Sequence, residues 1–343
     1  MNRALGNAVR EAWKQMEEGL VQGMVFGTAG GEITAVGKQR VSGSECPMTA
    51  ESRFDIASVG KVFTAACCSL LAAEGRLDPD APFTEYLPEH VLGRSCAVTV
   101  RDLAVHASGF DNSKPYLSGD PAEFDEKLFR KLPVRPRGEA FEYACSNCIL
   151  LGKIAERLSG TDLGTLARER IWNPLGMRSS TWDPPGDGPH EVEHWEPNRP
   201  PGQHNDEVCF RYKRPLGSGS CFSTAADLLL FAGDLLRRKC FPPEYYRLLL
   251  TCSFEKNGAR RSFGWDMSAE HRPRGLSPQT VYHSGFTGQS LCVDPENGFA
   301  AAVLSSRTGN WNLAYDGRVR ILGHLCRGFP EDREDGIFSS TSP

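Results

Sequence analysis

Strand-forming sequence gathers at the two ends of this chain, and helix-forming sequence fills the middle. After a first amphipathic helix, with Leu5, Val9, Trp13 and Met16 near one face, the runs MVFGTAG and GEITAVG meet at Gly30-Gly31 as a hairpin. Near the other end, FGWDM, VYHSG, QSLCVDP and GFAAAVLSSR are short apolar runs divided by turn residues such as Pro295-Glu296-Asn297-Gly298. Between them, the stretch from Lys61 to Glu74 is apolar nearly all round, which predicts a buried helix stopping at Gly75. Thr99 precedes a short helix in VRDLAVHASG, Ile149 to Ser159 has helical spacing, and Ser223-Thr224 with Asp227 opens a further helix. One antiparallel sheet fed by both termini and flanked by helices satisfies this order, an α/β (α+β) architecture with a helical insertion. Residues 1–75 and 255–343 are expected to form the sheet domain. Residues 76–254 are expected to form a mainly helical one, with an irregular loop over 183–206 and a loose polar tail from Glu331.

Composition narrows the function. The 343 residues carry 39 basic and 43 acidic side chains, net charge -4, which offers no electrostatic footprint for nucleic acid or an anionic membrane. No apolar run reaches the roughly 18 residues of a membrane span. Charged residues interrupt the N-terminus where a signal peptide needs an apolar core. The expected location is the cytoplasm, with the 12 cysteines as reduced thiols.

The strongest chemical signal is Ser58-Val59-Gly60-Lys61. A serine hydroxyl is a weak nucleophile that needs a base. Three-residue spacing at a helix start puts both side chains on one face, and burial is expected to lower the lysine pKa. Two further blocks join it. Tyr143 precedes the helix at Ile149 and can shuttle protons. His283-Ser284-Gly285 ends a predicted strand, where Gly allows close approach and a backbone N–H can serve an oxyanion hole.

In order and context, FDIASVGKVFTA, VTVRDLAVHASGF, FEYACSNCILLGKIAERLSG, PLGMRSSTW, FSTAADLLLFA and HSGFTGQSLCVDPENG resemble the serine β-lactamase-like family of class C β-lactamases, D-alanyl-D-alanine carboxypeptidases and related carboxylesterases. The resemblance implies a β-lactamase/transpeptidase-like fold. It makes Ser58 the acylated nucleophile, Lys61 its base and Tyr143 the proton-transfer tyrosine. His283-Ser284-Gly285 becomes the Lys-Thr-Gly block, and the oxyanion hole the backbone N–H groups of Ser58 and Phe286. Two departures stand out. The family Tyr-x-Asn is here Tyr143-Ala144-Cys145, with Asn147 two residues on, and His283 replaces a lysine.

Other motifs lack their context. His190-Glu191-Val192-Glu193-His194 has zinc-peptidase spacing but lies among prolines that forbid the helix it needs. Cys145-Ser146-Asn147-Cys148 lacks a second pair, although Cys145 beside Tyr143 suggests oxidant sensitivity. Gly217-Ser218-Gly219-Ser220 lacks a phosphate loop's lysine and reads as a turn. His106 and His204 could stand at the site's edge, but structural roles are the simpler expectation.

The reading is a metal-free, cofactor-free serine hydrolase that forms an acyl-enzyme on Ser58 from a small ester or amide. Its partner is that small molecule, with no nucleic acid or membrane. β-Lactamase or D-amino-acid peptidase activity, acyl transfer and an inactive ligand-binding scaffold are the alternatives.

Overall fold

The computed structural model describes residues 3–326 apart from 42, 187, 189, 193–201 and 271. A nine-stranded antiparallel sheet runs in the order β3-β2-β1-β11-β10-β9-β8-β7-β6. Its first three strands are β1 (Val21–Thr28), β2 (Ile33–Val41) and β3 (Ser44–Pro47). A separate two-stranded pair joins β4 (Phe54–Asp55) to β5 (Phe222–Ser223). The rest of the large sheet comes from late in the chain. It comprises β6 (Phe254–Lys256), β7 (Ala259–Ser262), β8 (Trp265–Asp266), β9 (Val281–Gly285), β10 (Gln289–Asp294) and β11 (Phe299–Arg307). The seam between the two chain ends is the pairing of β1 with β11, Val25 opposite Leu304 and Thr28 opposite Ala301.

The helices are α1 (Arg3–Glu17), α2 (Lys61–Ala73), α3 (Val100–Ala104), α4 (Phe124–Phe129), α5 (Cys145–Ser159), α6 (Leu163–Ala167), α7 (Asn173–Leu175), α8 (Glu207–Tyr212), α9 (Ala225–Arg237), α10 (Pro243–Leu250) and α11 (Trp311–Leu325). Side chains alternate across the sheet. Val25, Leu291, Val293, Ala302 and Leu304 enter the core shared with α2, α5 and α9. Met24, Phe26, Cys292, Ala301 and Val303 enter a second core under α1 and α11. Both faces are covered, so GFAAAVLSSR reads as a continuous apolar run rather than an alternating one.

Several expected features are present. β1 and β2 form the hairpin, Thr224 caps α9 by accepting from Asp227 N, and Asp294 Oδ1 accepts from Glu296 N and Asn297 N in the turn before β11. The buried helix α2 starts at Lys61 as expected, and a 3-10 turn over Ala57–Gly60 leads into it. Phe63 on this helix lies edge-on to Trp172 at 5.5 Å and 4.9 Å from Phe231.

Trp13 was expected on the buried face of α1 but is 49% exposed. The packed stripe is Leu5, Ala8, Ala12 and Gln15, and a Cβ on Gly317 of α11 would collide with Gln15. Gln15 fills the space over Gly317, and the large Trp13 ring stays outside. The polar tail from Glu331 lies outside the described residues. All twelve cysteines are unpaired. Among the described residues no helix is long and apolar enough to cross a membrane, and no cluster of His, Cys, Asp and Glu could hold a metal ion.

Candidate active site

The strand β4, the 3-10 turn and α2 follow one another without a loop, so Ser58 is placed by three rigid elements. The turn has a left-handed residue, Ala57, at φ 46°, a conformation that costs energy outside glycine. Asp55 compensates. Its Oδ1 accepts from Ala57 N at 2.7 Å, and its Oδ2 accepts from Ser220 Oγ at 2.6 Å and from Asn205 N at 2.6 Å. The Ala57 carbonyl accepts from Ser220 N at 2.8 Å. Gly219 packs against that carbonyl, where a Cβ would collide.

Two donors converge on Ser58 Oγ. Lys61 Nζ donates at 2.9 Å and the Tyr143 hydroxyl at 2.8 Å. An oxygen that receives two donors, one of them cationic, is in an environment that favours an alkoxide. Lys61 is 1% exposed and also donates to the Ser218 carbonyl. The glycine-rich segment 217–220, expected as a simple turn, is therefore part of the lysine's anchorage, and Gly217 O accepts from Thr64 Oγ1 at 3.0 Å.

The expected lowering of the Lys61 pKa is not what the surroundings produce. Burial is the largest influence and does push it down, but Cys145, Tyr143 and Cys148 face the ammonium and the balance lies above the usual lysine range. Burial also raises the Tyr143 phenol, against the opposing pull of Lys61. Near neutral pH the two therefore hold their protons together, and proton loss belongs to the pair rather than to either residue.

Tyr143 is held from behind by His106, whose ring stacks on it at 4.8 Å and 28°. His106 Nδ1 accepts from Ala144 N at 3.2 Å and from Asn147 Nδ2 at 3.1 Å, which puts its proton on Nε2. Burial, with Arg261 and Lys61 nearby, holds its pKa well below the ordinary histidine value, so the ring is neutral. Asn147 accepts from Ser108 Oγ at 2.7 Å. Its amide is committed to the protein interior, and neither it nor Cys145 lines the cavity at Ser58. His204 is likewise buried, sharing a 2.7 Å hydrogen bond with the Ser220 carbonyl.

The cavity encloses about 370 Å³ and is lined by Ser58, Phe141, Tyr143, Arg261, Asp266, Tyr282, His283, Ser284, Phe286, Trp311 and Tyr315. Of the third block, His283 and Ser284 face it, and Gly285 lets β9 pass the nucleophile turn. A Cβ on Gly285 would lie 2.6 Å from Ile56 O. His283 Nδ1 donates to the Ser284 carbonyl at 3.0 Å, and burial, with Lys61 and Arg261 adding to it, pushes its pKa to about 3. His283 is thus a neutral group whose Nε2 is an acceptor, not the cation of a Lys-Thr-Gly block.

Sequence reasoning missed Phe141, Arg261, Asp266, Tyr282, Trp311 and Tyr315. Arg261 is 4% exposed, pairs with Asp266 at 3.3 Å and lies 4.8 Å over the Phe141 ring. The adjacent FGWDM run marked the strand but gave no sign that β7 and β8 deliver this pair to β9.

The serine, its two donors and the β9 wall meet at one cavity, and the beta-lactamase family model matches residues 9–325. The chain belongs to the beta-lactamase family. It is an enzyme of the β-lactamase-related serine hydrolases. An Escherichia coli O157:H7 protein provisionally named a D-alanyl-D-alanine carboxypeptidase is 25% identical over 311 residues, 76% of this chain and 70% of its own. Esterase EstB of Burkholderia gladioli is 26% identical over 320 residues, 79% of this chain and 80% of its own. A class C beta-lactamase structure superposes with TM-score 0.80 at 18% identity, covering 96% of this chain and 97% of that one. The family thus spans esterases, carboxypeptidases and β-lactamases.

His190 and Glu191 lie outside any helix, and Glu191 pairs with Arg53. Glu193 and His194 fall outside the described residues.

Proposed function

We propose that the protein is a carboxylesterase-like serine hydrolase that acylates Ser58 with a small ester and releases the acid to water. The observation that carries this reading is the convergence of Lys61 Nζ and the Tyr143 hydroxyl on Ser58 Oγ at the floor of a predominantly aromatic cavity.

In the first half-reaction the Lys61–Tyr143 pair, having first released one proton to solvent, takes the Ser58 proton as Ser58 Oγ attacks the ester carbonyl. The backbone N–H groups of Ser58 and Phe286 receive the oxyanion. Tyr143 then protonates the departing alcohol oxygen as the C–O bond breaks. In the second half the pair takes a proton from water, hydroxide adds to the acyl carbon, and the Ser58–acyl bond breaks with return of the proton to Ser58. The chemistry needs no metal or organic cofactor.

Two observations favour esters over lactams within the family. His283 is neutral and an acceptor, so it gives no attraction to a lactam carboxylate. Cys145 stands where the family has an amide, and Asn147 is turned to Ser108 and His106. Side-by-side hydrolysis of simple acyl esters, D-alanyl dipeptides and a chromogenic cephalosporin tests the reading. Ester kcat/KM is expected to exceed the other two by at least about tenfold. Faster peptide or lactam turnover overturns it.

A further inference from the structure

Six of the eleven residues lining the cavity at Ser58 are aromatic. Their arrangement is uneven. Trp311 and Tyr315, four residues apart on α11, stack with centroids 5.1 Å apart and planes 16° from parallel. Tyr282 on β9 meets Tyr315 edge-on at 6.3 Å. Phe286 also lines the cavity, with the Arg307 guanidinium 4.5 Å over its ring.

Two of these rings stay uncovered at the cavity. Phe286 is 47% exposed and Trp311 36%. Large aromatic faces left in water beside a concave site are the signature of a ligand surface. Two of the polar side chains around them have protein partners. The Tyr282 hydroxyl is 3.3 Å from Ser290 Oγ, and Arg261 is paired with Asp266 and stacked on Phe141. Arg261 and Asp266 offset each other's charge, and the exposed apolar surface at the cavity is aromatic.

We propose that the acyl group taken by Ser58 carries a planar aromatic ring that lies against the wall formed by Trp311, Tyr315, Tyr282 and Phe286. This inference rests on the Ser58 acyl-enzyme reading and names its substrate class. Flat rings gain offset-stacked and edge-on contacts there that a saturated ring of similar size cannot make. The acyl half is the part assigned to the wall, because Ser58 and the four rings line one cavity and the acyl group stays in it through both steps. Trp311 is then the specificity-determining residue.

The test uses two ethyl fluorophosphonates, one carrying a 2-phenylethyl and the other a 2-cyclohexylethyl group on phosphorus. Ser58 Oγ displaces fluoride from each, so the leaving group and the electronics at phosphorus are matched. Intact-mass spectrometry follows the second-order rate of adduct formation. The phenyl probe is expected to label about tenfold faster. In Trp311→Leu that ratio is expected to fall to about 2, and in Trp311→Phe it should be largely kept, which separates loss of the ring face from loss of fold. Equal rates in the wild type, or a ratio unaltered by Trp311→Leu, overturn the aromatic assignment while leaving Ser58 as the nucleophile. No adduct with either probe overturns the nucleophile and this inference with it.

Discussion

The Tyr143 hydroxyl donates to Ser58 Oγ at 2.8 Å, and the same phenol ring lies 5.1 Å from the Lys61 ammonium. Tyr143 therefore touches both the nucleophile and the cation beside it. Its removal is expected to disable proton transfer without emptying the cavity. Tyr143→Phe should lower ester kcat/KM by about 10² to 10³, a usual range for loss of one positioned acid–base group. Steady-state kinetics with circular dichroism as the folding control checks this.

The pair also sets the pH profile. The cluster must lose a proton to act as a base, and its neighbours hold Lys61 above the usual lysine range. Activity should rise with pH from neutrality upward, its ascending limb belonging to the Lys61–Tyr143 pair. Tyr143 is one of the groups that raise Lys61, so Tyr143→Phe should shift that limb to lower pH while depressing the maximum. His283, neutral with a pKa of about 3, should add no limb between pH 5 and 8. A kcat/KM profile for wild type, Tyr143→Phe and His283→Gln reads all three points.

Asp55 carries the strained turn. Its carboxylate accepts hydrogen bonds from Ala57 N, Asn205 N and Ser220 Oγ. Hydrogen bonds to a charged acceptor contribute about 1.5–3 kcal/mol each, and an orphaned buried N–H adds a penalty. Asp55→Ala is expected to cost about 3 kcal/mol and to slow acylation by misplacing Ser58. Urea denaturation midpoints together with the rate of fluorophosphonate labelling would show both effects.

His90 should make the fold acid-sensitive at a place remote from the site. It is 2% exposed, ringed by Phe83, Phe110 and Phe129, and burial pushes its pKa to about 4. The unfolded chain takes up this proton near the ordinary histidine value of 6.5. Between those values the unfolded state binds more protons, so the stability present above about pH 6.5 is lost as pH falls toward 4. The loss approaches about 1.4 kcal/mol per pH unit for this group. Denaturation of wild type and His90→Leu at several pH values should show a shallower acid slope in the variant.

The legible parts of this chain were those set by short-range pattern. Gly30-Gly31 between two apolar runs marks a hairpin, and an all-apolar run marks α2. The Ser58–Lys61 spacing marks a nucleophile because both residues sit on one turn and the start of one helix. Groups brought together by sheet pairing were not legible. Arg261 and Asp266 reach His283 only because β7, β8 and β9 are neighbours, and Trp311 joins them from α11, beyond β11. Trp13 shows the complementary failure. Its spacing fits a buried stripe, but the buried face carries Leu5, Ala8, Ala12 and Gln15, with Gln15 against Gly317 of α11. The sign at Lys61 depended on which groups face it, and no spacing encodes that.

Ser58 is an activated nucleophile in the proposed reaction. Intact-protein mass spectrometry after treatment with a fluorophosphonate, on wild type and Ser58→Ala, tests it most directly. A single adduct is expected on the wild type and none on the folded variant. A folded wild type that takes no adduct, or an adduct that persists in Ser58→Ala, would contradict it.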